Sequence, residues 1–115
     1  MTSFDLYQLY DQLIKKNPNY KVFIYSKEEH RVYKKFSIDT IEKETIISTM
    51  EEMEEENKEF TVYELCCTLK NVENSLELKV FSDLSLGSIS KIIEDKIGKA
   101  IILCLESEYT SWYTE

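Results

Sequence analysis

FDLYQLYDQLIKKNPNYKVFIYSK, residues 4–27, and FTVYELCCTLKNVENSLELKVFSD, residues 60–83, carry one apolar pattern at an offset of 56. Phe4 falls on Phe60, Leu6 on Val62, Tyr7 on Tyr63, Leu9 on Leu65 and Leu13 on Leu69. After a polar gap, Tyr20, Val22, Ile24 and Tyr25 fall on Leu76, Leu78, Val80 and Phe81. A repeat at fixed offset sets the architecture before any single element is assigned.

Each copy opens with a helix start. Asp5 with Gln8, and Thr61 with Glu64, have the spacing of a capping box. Phe4 and Phe60 then precede the caps, and Leu9 and Leu65 stand where a hydrophobic staple needs its second member. Leu6, Leu9, Tyr10 and Leu13, like Val62, Leu65, Cys66 and Leu69, keep the i, i+3, i+4, i+7 spacing of an amphipathic helix. Asn17-Pro18-Asn19 stops the first helix, and the stretch from Asn71 to Ser75 stops the second.

A strand follows in each copy, Lys21–Tyr25 and Glu77–Phe81, rich in β-branched and aromatic residues. Glu77 and Lys79 alternate with Leu78 and Val80, which predicts one solvated face; Phe23 breaks that alternation in the first copy. Ile38, Ile41, Ile46 and Ile47 find partners in Ile89, Ile92, Ile101 and Ile102 if the second copy has a longer connection. Each set reads as strand, turn, strand, the second turning near Asp95 to Lys99. A helix is the rival for both stretches: Ser88 can cap Ile89–Ile97 with Gly98 as its stop, and helical spacing links Ile46, Met50 and Met53. The predicted fold class is α+β, a tandem duplication of a helix plus antiparallel β-meander. Its boundaries are 1–48 for the first module, 49–59 for an acidic connector, 60–105 for the second module and 106–115 for an acidic aromatic tail. A half of about 50 residues buries little core alone, so the two are expected to pack by pseudo-twofold symmetry into one domain.

Residues 5–26 resemble the opening of many small tailed-phage accessory proteins, which begin with a short helix, a Pro-containing turn, a strand and a hairpin. The second copy lacks the proline. The resemblance implies a phage or mobile-element protein and supplies no catalytic residues.

Charge narrows the function classes. The chain has 115 residues and a formal charge of −8. Residues 42–59 alone carry eight Glu against two Lys, while residues 1–41 are net positive. An acidic chain is repelled by phosphate backbones, so no direct nucleic-acid contact is expected. The odd set Cys66, Cys67 and Cys104 has neither metal-site nor disulfide-framework spacing, and free thiols fit a reducing compartment. No signal pattern opens the chain, and the longest apolar run, Ala100–Leu105, is too short to span a bilayer. A cytoplasmic protein without membrane contact is expected.

No phosphate loop, paired-His metal motif or nucleophile elbow is present, so neither enzyme, metal nor cofactor is expected. His30, the only histidine, reads as an exposed loop residue. Cys66 reads as core, Cys104 as buried, and Cys67 as pointing off the apolar stripe with nothing cationic adjacent.

Two stretches are candidates for partner binding. Glu51, Glu52, Met53, Glu54, Glu55 and Glu56 form either a solvated linker or a negative surface for a basic partner. Tyr109, Trp112 and Tyr113 either pack on the chain's own sheet or anchor a partner. The reading that follows is a non-enzymatic phage or mobile-element interaction protein that binds and inhibits a host protein, a defence protein or a basic, nucleic-acid-handling one, through an acidic surface. Its rivals are a self-associating assembly factor, hence a homo-oligomer, and a protein that sequesters a small ligand.

Overall fold

The computed structural model describes residues 5–41, 44–49, 56–70, 77–81 and 86–109. Both capping boxes are formed. At α1 (Leu6–Leu13), Gln8 N–H donates to Asp5 Oδ1 at 2.8 Å and Asp5 N–H donates to Gln8 Oε1 at 3.0 Å. At α2 (Val62–Lys70), Glu64 N–H donates to Thr61 Oγ1 at 3.1 Å and Thr61 N–H donates to Glu64 Oε1 at 2.9 Å. That backbone hydrogen bond holds the exposed Glu64 carboxyl below its usual range. The helices bury the stripes their spacing predicts: Leu6, Leu9 and Leu13 on α1, and Val62, Leu65 and Leu69 on α2. Phe4 lies outside the described residues; Phe60 and Leu65, the second staple pair, are both buried.

Among the described residues there are eight strands: β1 (Lys21–Ser26), β2 (Arg31–Tyr33), β3 (Ser37–Ile41), β4 (Glu44–Ser48), β5 (Phe60–Thr61), β6 (Glu77–Phe81), β7 (Leu86–Asp95) and β8 (Ala100–Tyr109). The main path runs β2-β1-β8-β7-β6-β4-β3, with β5 paired to β1. Its two end strands, β2 and β3, are separated in sequence only by Lys34, Lys35 and Phe36. Seven flat strands would put those ends about 29 Å apart, whereas the chain from Tyr33 to Ser37 reaches at most about 15 Å. The sheet must therefore curl until its ends approach, and one face becomes an interior. Alternate residues point into it: Val22, Ile24 and Ser26 from β1, Ile101, Leu103 and Leu105 from β8, Thr45 and Ile47 from β4, Leu78 and Val80 from β6. With the helix stripes they make one hydrophobic cluster drawn from both halves of the chain.

The α+β class holds, but the sheet is mixed rather than a pair of antiparallel meanders. β1 pairs in parallel with β8, and β4 in parallel with β6, so each joins strands distant in sequence. Residues 89–95 are strand, as are 37–41 and 44–48, so the helical alternative fails at both places. Ile89 is fully buried opposite Leu105, a pairing across β7 and β8 that a helix could not make. The second hairpin turns through Lys96–Lys99, where Gly98 N–H donates to Asp95 Oδ1 at 2.9 Å and Lys99 takes φ 55°. β8 extends through Tyr109, so it takes in the first four residues of the stretch assigned to a tail.

Candidate functional site

Of the partner-binding residues picked from sequence, the structure places two. Glu56 is exposed in a turn, and Tyr109 ends β8 with its backbone opposite Leu86. Glu51, Glu52, Met53, Glu54, Glu55, Trp112 and Tyr113 lie outside the described residues. What flanks the acidic stretch is nevertheless firmly set. On its N-terminal side, buried Thr49 donates its N–H to Phe81 O at 3.0 Å and its hydroxyl to the same carbonyl at 3.3 Å. On its C-terminal side, Lys58 and Phe36 exchange two backbone hydrogen bonds, each 3.0 Å. The Lys58 ammonium lies 4.6 Å above the Phe60 ring, which itself stacks on Phe36 at 4.7 Å. Both ends of the acidic stretch are thus tied to the sheet that holds the shared core.

Beside those ends opens a cavity of about 540 Å³. Arg31, Lys34 and Lys35 line it together with Thr49, Asn57 and Glu59. Glu59 pairs with Lys21 at 3.3 Å, which offsets the carboxylate on this wall. Arg31 lies 4.5 Å above the Tyr33 ring. Sequence reasoning missed this basic flank because β2 is only three residues long and two of them are exposed. The signal available was the cluster of four Lys/Arg between residues 27 and 35.

A second concavity, about 380 Å³, lies between α1 and α2. Tyr63 N–H donates to Pro18 O at 3.1 Å and Val62 N–H to Tyr20 O at 2.8 Å, so the start of α2 is held against the turn that follows α1. Tyr10, Ile14, Tyr63 and Cys66 supply apolar wall, and among the described residues Lys16 and Lys70 supply its charged groups.

The thiols separate as alternation and helical position require. Cys67 is exposed; Cys66 is half-buried on the groove wall, and burial pushes its thiol pKa up. Cys104 is half-buried rather than fully buried, because on β8 Leu103 and Leu105 take the interior and Cys104 the outer face; its thiol is also pushed up by burial. A raised thiol pKa means less thiolate at a given pH. Iodoacetamide at pH 8 is therefore expected to label Cys67 first and Cys66 and Cys104 several-fold more slowly, read by peptide mass spectrometry. Equal rates at all three would contradict this packing.

His30 is exposed in the Lys27–His30 turn with φ 52°. Among the described residues, no group of three or more His, Cys, Asp or Glu side chains could hold a metal ion, and no helix is long and apolar enough to cross a membrane. Compared with known proteins, the chain matches no family model, no curated protein and no solved structure.

Proposed function

We propose that this chain is a non-enzymatic interaction protein that engages a basic partner protein through Glu51, Glu52, Glu54, Glu55 and Glu56. The observation that carries the reading is the anchoring of Thr49 and Lys58 to the sheet. A connector between two separate domains needs no such attachment, and here one core already joins both halves. A stretch with five negative charges tied at both ends to a folded base is suited to presenting those charges to a partner. Charge of this kind raises association rate and selectivity more than raw affinity. Arg31, Lys34 and Lys35 repel a basic partner from the β2 flank, which restricts its approach. The likeness of residues 5–26 to tailed-phage accessory proteins supports a partner in an infected host. Carboxylates set where phosphates would sit would make the interaction inhibitory to a nucleic-acid-handling protein.

The same proposal takes the scaffold as a duplicated module with pseudo-twofold symmetry. Its support is reciprocal register. Lys21 stands opposite Ala100 in the β1–β8 pair, and Glu44 opposite Glu77 in the β4–β6 pair. Adding 56 to Lys21 and Glu44 gives Glu77 and Ala100, so each parallel pairing generates the other. This register matches Ile46 with Ile102 rather than with Ile101, and Ile47 with Leu103. Ile41 stands opposite Glu44 in the first hairpin and Asp95 opposite Ala100 in the second, so β7 is slipped by two residues relative to β3.

The test is a tagged pull-down from lysate of a low-GC bacterial host, eluted by rising salt, comparing the native chain with a variant carrying Gln at all five positions. The five substitutions are expected to weaken binding roughly 10- to 100-fold and to flatten its salt dependence. Unchanged binding and unchanged salt dependence would sink the proposal. One rival has an observation in its favour: the basic cavity suits a small anionic ligand. A phosphate-bearing compound released on denaturing the purified protein would replace the interaction reading with sequestration.

A further inference from the structure

The groove between α1 and α2 has properties that the packing of the core does not require. The chain holds 22 acidic and 14 basic residues, yet among the described residues the charged groups lining this groove are both lysines. Lys16 shares its charge with Glu94 at 3.5 Å, and among the described residues no carboxylate pairs with Lys70. Two of the groove's lining side chains are large, apolar and exposed: Ile14 at 52% and Tyr63 at 63%. Tyr63 falls off the buried stripe of α2, so the sheet gains nothing from it, and water is a poor neighbour for its ring.

We infer that this groove docks an acidic amphipathic helix of a partner protein. An apolar ridge on that helix would lie against Tyr10, Ile14, Tyr63 and Cys66, with carboxylates reaching Lys16 and Lys70. Two parts of the argument are independent. Apolar exposure calls for an apolar ridge, and helices offer one at i, i+3, i+4 and i+7 spacing. Charge selects the sign: among the described lining residues a basic ridge would meet two ammonium groups, that of Lys16 shared with Glu94, and no carboxylate. The residues that carry it are other than Glu51–Glu56, and they call for a partner of opposite charge. The protein so built has two surfaces of opposite polarity and can bring two different partners together.

Cys67 lines the same groove and is exposed, which makes it a built-in reporter. The probe is a fluorescein-labelled peptide of about 14 residues, enough for some four helical turns, with leucine along one face and glutamate elsewhere. Anisotropy with the full-length protein should give a dissociation constant on the order of 10–100 μM, a range fitting a short single-helix contact. Occupancy should slow iodoacetamide labelling of Cys67 several-fold and leave Cys104 unchanged. The double variant Lys16→Glu with Lys70→Glu should weaken binding about tenfold or more, as like-charge juxtaposition does. Ile14→Asp, at an exposed position that leaves the core intact, should do the same, with circular dichroism confirming the fold of both variants. The chain with Gln at residues 51, 52, 54, 55 and 56 should bind this peptide as the native chain does. No binding, equal binding of a lysine-for-glutamate peptide, or unchanged binding by the charge-reversed variant would overturn the inference. So would sedimentation showing a dimer in which Cys67 is already protected without peptide, because a second copy would then be the occupant.

Discussion

Gly87→Ala is expected to destabilise the protein by roughly 3 kcal/mol, at the upper end of what overpacking a tight site usually does. A Cβ at this position would lie 2.1 Å from the backbone oxygen of Glu106, 2.8 Å from its carbonyl carbon and 2.9 Å from Leu105 Cδ1. Backbone cannot swing aside as a side-chain tip can, so β7 and β8 would have to part. They part at a sensitive place. Gly87 pairs with Val80 of β6 on one side and Ser107 of β8 on the other, and the β7–β8 register shifts on both sides of the stretch from Gly87 to Ile89. These irregularities let one long strand bend from one neighbour to the next, and a glycine there permits the close approach. For a domain of this size the loss corresponds to a fall in Tm on the order of 10–20 °C. Gly98→Ala is the control. Its Cβ would meet Asp95 Oδ2 at 2.5 Å, but that carboxylate can rotate away. The substitution then forfeits little beyond the Asp95–Gly98 hydrogen bond, about 1 kcal/mol. Thermal melts followed by circular dichroism check both, and a Gly87→Ala protein as stable as Gly98→Ala would mean β7 and β8 are not packed this closely.

What could be read from the sequence was local chemistry. The pairs Asp5–Gln8 and Thr61–Glu64 sit three residues apart and do what that spacing implies. Leu9 and Leu65 are buried because helical periodicity puts them on the inner stripe. The turn between Asp95 and Lys99 announces itself through Gly98. Pairings between distant strands leave no local mark. Nothing in Lys21–Ser26 indicates that its neighbour is Ala100–Leu105, or that the pair runs parallel. β2 and β5 have three and two residues, too few for any alternation to register. Cys104 was misplaced although the signal existed: Ile101, Leu103 and Leu105 are two apart, so the residue between the last two must face outward.

The candidate sites divide the same way. Glu51–Glu56 stands out by composition, but the attachments at Thr49 and Lys58 that give it a base are tertiary. Tyr7 and Tyr63 were matched as apolar repeat positions, which suggests core, yet both lie off the Leu6-Leu9-Leu13 and Val62-Leu65-Leu69 stripes and both are exposed. The helix groove was therefore half-written in the helical phase of Tyr63, which lines it. Lys16 and Lys70 reach it only because α2 packs beside α1.

Cutting the chain between Glu55 and Glu56 should yield two fragments that do not fold alone and that recover a cooperative fold when mixed. In fragment 1–55, β1 loses both β8 and β5, and β4 loses β6. In fragment 56–115, β6 and β8 lose the same partners from the other side. Each half would expose unpaired strand edges and one wall of a core that needs both. Fragments of 50 to 60 residues have little apolar burial to spare, so neither has an alternative core to retreat to. Separate dilute fragments are expected to show sloping, non-cooperative thermal traces. An equimolar mixture should show a single transition, since the parallel pairs β1–β8 and β4–β6 can form between chains as they do within one. Raising the concentration of fragment 56–115 alone distinguishes the duplicated scaffold from a merely shared core. If the repeat is real, β6 of one copy can take β8 of another, just as β1 takes β8 in the intact chain. A concentration-dependent folded dimer of that fragment supports the duplication. A dilute monomeric fragment with its own cooperative melt would instead show a self-sufficient half, and the single core joining the modules would not be what stabilises them.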